Sequence, residues 1–116
     1  MNEIIKMTAT ELAEKIKSKK LSSIEVTKAF LDRIKEVNPK VKAYISVCED
    51  YALKQAQNSD DKIAKNENVG VLEGIPIAIK DNILIKDIKM TASSKILENY
   101  IAPYDATVIT KLKDAG

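Results

Sequence analysis

The chain is 116 residues long, enough for one domain with an adequate core, and its 45% apolar and 31% charged residues are those of an ordinary globular protein, not a disordered one. Nineteen basic residues against seventeen acidic ones leave a formal charge of +2, with the signs alternating and no basic block, which argues against direct nucleic-acid binding by this segment. One cysteine, Cys48, and no histidine exclude an intrachain disulfide, a His/Cys metal site and any Ser-His-Asp or Cys-His catalytic arrangement.

The first residues carry Glu3 and only Ile4-Ile5 as an apolar run, so no secretory signal is expected. No stretch has the length of a membrane span, and the cytoplasm is the expected location. Thr8 with Glu11 predicts a capping box, and Met7 with Leu12 a hydrophobic staple, for a helix that buries Leu12 and Ile16 and stops near Lys19 or Lys20. Ser22 with Glu25, and Leu21 with Val26, repeat the device at once. The second helix carries a stripe of Val26, Ala29, Phe30, Arg33 or Ile34, and Val37, and Asn38-Pro39 is expected to end it. Residues 8–38 thus read as a helical hairpin. Its stripe serves core packing, and another face is open to docking a partner subunit.

Val41, Ala43, Ile45 and Val47 alternate with polar residues, which predicts an edge or near-edge strand. Helical spacing returns from Asp50 to about Lys65, with Ala52, Leu53, Ala56 and Ile63 on one face and Cys48 as a small, half-buried residue near the cap. Residues 41–65 therefore read as a strand plus a helix. Asn66-Glu67-Asn68 is a polar loop suited to a flexible or cleavable tip.

The run Glu73-Gly74-Ile75-Pro76-Ile77-Ala78-Ile79-Lys80-Asp81-Asn82-Ile83 follows. From Ile75 to Ile79 neither face is polar, the pattern of a strand covered on both sides, so residues 69–83 read as a core strand delivering Lys80 at its carboxyl end. Lysine is rarely buried without a partner or a role, and open α/β folds place sites at such strand ends. The plain alternative is a Lys-Asp-Asn cluster opening a solvated loop. Residues 84–116 read as loop and helix: the charged turn Lys86–Lys89, the small-residue run Thr91–Ser94, and a last helix capped by Asp105 with Val108, Ile109 and Leu112 as its apolar side. Gly116 sits where a helix often ends left-handed. With one other convincing strand in the chain, the sheet must be completed by further polypeptide or by intermolecular strand pairing.

Gly-Ile-Pro-Ile-Ala-Ile-Lys-Asp-Asn-Ile (74–83), Met90-Thr91-Ala92-Ser93-Ser94-Lys95-Ile96-Leu97 and Pro103-Tyr104-Asp105-Ala106-Thr107-Val108 resemble the amino-terminal part of the amidase signature family. Within it they resemble the glutamine-dependent amidotransferases of aspartyl- and glutamyl-tRNA, and the likeness runs from the Thr8 helix to Gly116. The resemblance implies an α/β fold, a mixed sheet covered by helices that begins with the helical hairpin, with residues 1–116 forming an incomplete amino-terminal portion of a single amidase domain. It implies a Ser-cisSer-Lys mechanism with Lys80 as general base and Ser94 at a supporting hydroxyl position. Because a contact from Asp81 would favour the charged amine, the Asp81 carboxylate is expected to turn aside and hold loop backbone instead. The glycine- and serine-rich stretch that carries both family serines is absent from this sequence, whose glycines are Gly70, Gly74 and Gly116. The chain alone is therefore expected to be inert. The resemblance further implies glutamine as substrate, B and C subunits as partners, contact with tRNA mainly through the partner, and ATP and magnesium used at the partner with no cofactor on this segment. Another amidase acting on a small amide and a non-catalytic helical interaction module remain open as alternatives.

Overall fold

Orphan amides at the helix starts are met by side chains. In the computed structural model, which describes residues 2–116, Thr8 Oγ1 accepts from the Glu11 amide at 3.3 Å and Glu11 Oε2 from the Thr8 amide at 2.7 Å. Helix α1 (Ala9–Lys17) thus starts on a complete capping box, after a short 3-10 turn at Glu3–Lys6. Ser22 and Glu25 do the same for α2 (Ser23–Val41), with the reciprocal bonds at 3.1 and 2.8 Å. α1 ends slightly short of the expected Lys19–Lys20, because Lys19 turns left-handed (φ 61).

α2 outruns its proline. It continues to Val41 with Pro39 inside it, where the sequence reading ends it at Asn38-Pro39. A proline forfeits one ladder bond of its own. Lys42 N nevertheless still donates to Asn38 O at 2.7 Å before Lys42 turns left-handed (φ 50). The Asn38 side chain then clamps the exit, accepting from the Tyr44 amide at 2.9 Å and donating to the Tyr44 carbonyl at 3.1 Å. These contacts occupy the backbone that a strand would use. Residues 42–48 form no strand, and Val41, Ile45 and Val47 are exposed.

Helix α3 (Glu49–Ala64) packs against α2. Cys48 stands at its cap position without a side-chain capping bond and is a half-buried free thiol. Asp60 reaches from α3 to the start of α2, its two oxygens accepting from the Ser23 and Ile24 amides at 2.6 and 3.1 Å. A carboxylate there also complements the positive end of the helix dipole.

The chain divides into two units, one running up to Pro76 and including Ala115 and Gly116, the other Ile77–Asp114. The first is built on buried Leu12, Ile16 and Val26, flanked by Ile4, Met7, Leu21, Phe30, Ile63 and Ile75. Both staple residues, Met7 and Leu21, therefore do what their spacing predicts. Full burial of each core aliphatic contributes about 1.5–3 kcal/mol. The Ser23 hydroxyl donates to Gly74 O at 2.7 Å, and Gly74 is left-handed (φ 78) with Ser23 where a side chain would stand. Leu72 N and Gly74 N donate to Ala115 O and Gly116 O at 2.9 and 3.2 Å.

The second unit is mostly loop. Asp87 N donates to Ala102 O at 2.9 Å, Ala102 N to Ile88 O at 3.0 Å and Met90 N to Tyr100 O at 3.0 Å, around a single antiparallel bridge between Lys89 and Ile101. A 3-10 turn (Lys95–Leu97) and helix α4 (Thr107–Asp114) complete it, with Ala102 and Ile109 buried. α4 begins two residues after Asp105, whose carboxylate accepts from the Lys86 amide at 2.8 Å and from Lys113 Nζ at 2.7 Å. Those two donors hold its carboxylate below the usual range, Lys113 first.

The mixed sheet expected from the sequence is not present: among the described residues there is no strand. Residues 75–80 have no regular structure, and among the described residues no backbone bond ties 76–79 to another segment. A strand exists only with an edge to pair against. Here no neighbouring strand supplies one.

Candidate functional site

The residues singled out from the sequence, Lys80, Asp81 and Ser94, all belong to the second unit. Lys80 is exposed, as are Ile77 and Ala78 before it, whereas the sequence reading sets it beside a buried layer. The difference has the same origin as the missing strand, since a covered strand end needs the sheet and its layers around it. Ile83 N donates to Lys80 O at 3.1 Å, so the backbone turns at once after the lysine. Among the described residues Lys80 takes part in none of the ion pairs.

Asp81 faces away from an ion pair and onto a loop. Its Oδ1 accepts from the Thr91 amide at 3.0 Å and its Oδ2 accepts from the Thr91 hydroxyl. The Thr91 hydroxyl and amide, with the Ser93 amide, hold the Asp81 carboxyl below the ordinary aspartate range against the opposing effect of burial. Its main-chain carbonyl accepts from the Ala92 amide at 2.8 Å. The loop from 81 to 92 is thereby closed at its base.

Beyond that closure Ala92 and Ser93 are both left-handed (φ 47 and 57), and Ser94 N donates to Thr91 O at 2.8 Å. Two positive φ values in succession are the pattern of a type I′ turn, which glycine and asparagine favour. With alanine and serine the conformation costs about 1–3 kcal/mol per residue, offset by the bonds that Thr91 gathers. Ser94 is half-buried and precedes the 3-10 turn without capping it through its side chain.

Thr91, buried at 6% exposure, is the residue that sequence reasoning missed. The available signal was a hydroxyl opening a small-residue run, ten positions after an unpaired aspartate. A second omission lies in the first unit, where Glu73 is buried with the Ser59 hydroxyl donating to its Oε1 at 2.6 Å and Lys62 Nζ 3.6 Å away. A buried carboxylate requires such partners. Ser59 falls on the Ala56–Ile63 stripe of α3, which is where a polar partner could have been sought. Glu73 also lines a small open cleft of about 220 Å³ with Ala13, Lys17, Ile63 and Val71. Among the described residues no group of three or more His, Cys, Asp or Glu side chains is placed to hold a metal ion. No helix among them is long and apolar enough to cross a membrane.

Comparison with known proteins places the chain in a family. The Amidase family profile matches residues 25–116, and the chain belongs to that family. It is 57% identical over 116 residues to the glutamyl-tRNA(Gln) amidotransferase A subunit of Endomicrobium trichonymphae, covering all of this chain and 24% of that protein. It is 54% identical over 114 residues to the protein of the same name from Carboxydothermus hydrogenoformans, covering 98% of this chain and 24% of the relative. The chain thus spans about a quarter of the length of these relatives. Among solved structures it is similar to a fatty acid amide hydrolase (31% identity, TM-score 0.90, 98% of this chain and 20% of that one). It is also similar to the native peptide amidase of Stenotrophomonas maltophilia (32% identity, TM-score 0.87, 95% and 23%). The helical segments described above belong to the amidase-signature fold.

Proposed function

We propose that the chain is the amino-terminal portion of a glutamine-dependent amidotransferase A subunit. It would form part of a single amidase domain in which the segment around Ile75–Ile79 pairs as a strand of a mixed sheet. The observation that carries this reading is the 57% identity along the whole chain to a protein of that name. The Gly-Ile-Pro-Ile-Ala-Ile run ahead of Lys80 supports it. In the complete protein Lys80 is the general base. Its amine, covered by the rest of the sheet, takes the proton of a bridging serine, which in turn takes that of the nucleophilic serine. The serine oxygen attacks the glutamine carboxamide carbon, the C–N bond breaks, and ammonia leaves with a proton returned along the same path. Water then releases glutamate from the acyl-enzyme. Asp81 and Ser94 support this site. The ammonia amidates glutamate or aspartate misloaded on tRNA, with the partner B and C subunits binding most of the tRNA and consuming ATP with the aid of magnesium, in the cytoplasm. The 116 residues alone supply the base without either serine and are inactive.

Lys80→Ala in the longer protein tests the assignment. Glutaminase turnover is expected to fall by roughly 10²–10⁴-fold, the usual contribution of a general base, with circular dichroism unchanged. Near-normal turnover in the folded variant overturns it. The likeness to a fatty acid amide hydrolase and a peptide amidase favours a second reading, an amidase acting on a small amide without tRNA. Copurification of B and C subunits with the longer protein decides for the first reading, and their absence with hydrolysis of simple amides decides for the second.

A further inference from the structure

Thr91 uses every polar function it has. Its amide and hydroxyl both donate to the Asp81 carboxylate, its Oγ1 accepts from the Ser93 amide at 3.2 Å, and its carbonyl accepts from the Ser94 amide at 2.8 Å. A hydroxyl that donates and accepts at once can be replaced by serine but by no apolar residue of the same shape. The Ala92 amide adds a bond to the Asp81 carbonyl at 2.8 Å, so residue 81 is tied to 91–92 three times across the loop. Asp81 is the covalent neighbour of Lys80, and the Lys80 carbonyl is held in its own turn by Ile83 N. The backbone carrying the lysine is therefore braced on the side that follows it. The carboxylate nearest in sequence to the amine is occupied by Thr91 donors and makes no ion pair with Lys80 among the described residues.

We propose that Thr91 is a positioning residue for Lys80: by holding Asp81 it fixes the backbone from which the lysine projects and keeps the neighbouring carboxylate off the amine. The proposal rests on the reading of Lys80 as the base, and goes beyond it by giving Thr91 a role. Thr91 touches neither substrate nor nucleophile in this account, so its loss should slow the chemical step without weakening ground-state binding.

The test uses the longer, glutaminase-competent protein, with kcat normalised to titrated active sites. Thr91→Val keeps the shape and the backbone amide and removes the hydroxyl. It is expected to lower kcat at least about tenfold with KM for glutamine within about twofold, and Thr91→Ser is expected to restore kcat to within about threefold of wild type. A wild-type kcat in Thr91→Val, or equal losses in Thr91→Val and Thr91→Ser, overturns the proposal. Should Thr91→Val not fold, Asp81→Asn takes its place, with the same expected loss and the same overturning result. Lys80→Ala measured alongside separates the two claims. An active Lys80→Ala removes the base assignment itself, whereas an inactive Lys80→Ala beside a fully active Thr91→Val removes the role of Thr91 alone.

Discussion

The bonds that Asp81 accepts weaken when its carboxylate is protonated, so its contribution to stability has a definite sign in pH. The Thr91 hydroxyl and amide lower the folded carboxyl below its ordinary value of 3.8. A group whose folded pKa is depressed stabilises the native state above its unfolded pKa, and that stability is lost as pH falls through the folded value. The gap in thermal midpoint between wild type and Asp81→Asn should therefore be constant above about pH 5 and shrink steadily below about pH 4. A gap that stays constant to low pH would mean that Asp81 acts through shape alone. The same donors explain how Ala92 and Ser93 are kept left-handed (φ 47 and 57) without a glycine: the turn is gripped from both of its ends.

The helix starts obey local chemistry, and local chemistry can be read in the sequence. Removing the Ser22 hydroxyl in Ser22→Ala leaves the Glu25 amide without its cap. The expected cost is about 1 kcal/mol, read as a lower urea midpoint with unchanged slope, and an unchanged midpoint would show that tertiary contacts alone hold that end. Ser22-Glu25 and Thr8-Glu11 were legible because each box spans four consecutive residues and needs nothing else. The α3 stripe was legible for a similar reason: Ala56 and Ile63 share one helical face. Pro39 was misread because the bonds that carry α2 on to Val41 and then turn it come from Asn38, whose side chain reaches six residues along to Tyr44. Strands are different. Alternation at Val41–Val47 and the apolar run Ile75–Ile79 describe how a segment would sit in a sheet, and say nothing of whether the pairing edge is present. In the site, the order Lys80-Asp81 was visible, but Thr91 was not, because the bond that matters joins residues ten apart through a fold no local pattern reports.

Across the whole molecule, apolar surface is left uncovered where the sheet was expected. Ile45 and Ile77 are 59% and 47% exposed, and Val71 more so at 81%. Residues 76–79 offer backbone groups with no partner among the described residues. An apolar segment with an unpaired edge is a template for pairing with another chain. The domain organisation proposed above makes the same demand, because a strand at 75–79 and an α/β sheet around Lys80 both require edges that the described residues do not form among themselves. The isolated chain should therefore associate through that segment in the micromolar to millimolar range, with light scattering showing a mass that rises with concentration. Ile77→Lys, which places a charge on the edge, should return it to a monomer with the helical circular dichroism of α1 to α3 intact. A wild-type chain that stays strictly monomeric throughout that range would show that the segment is content unpaired, and the proposed strand would lose its physical motive.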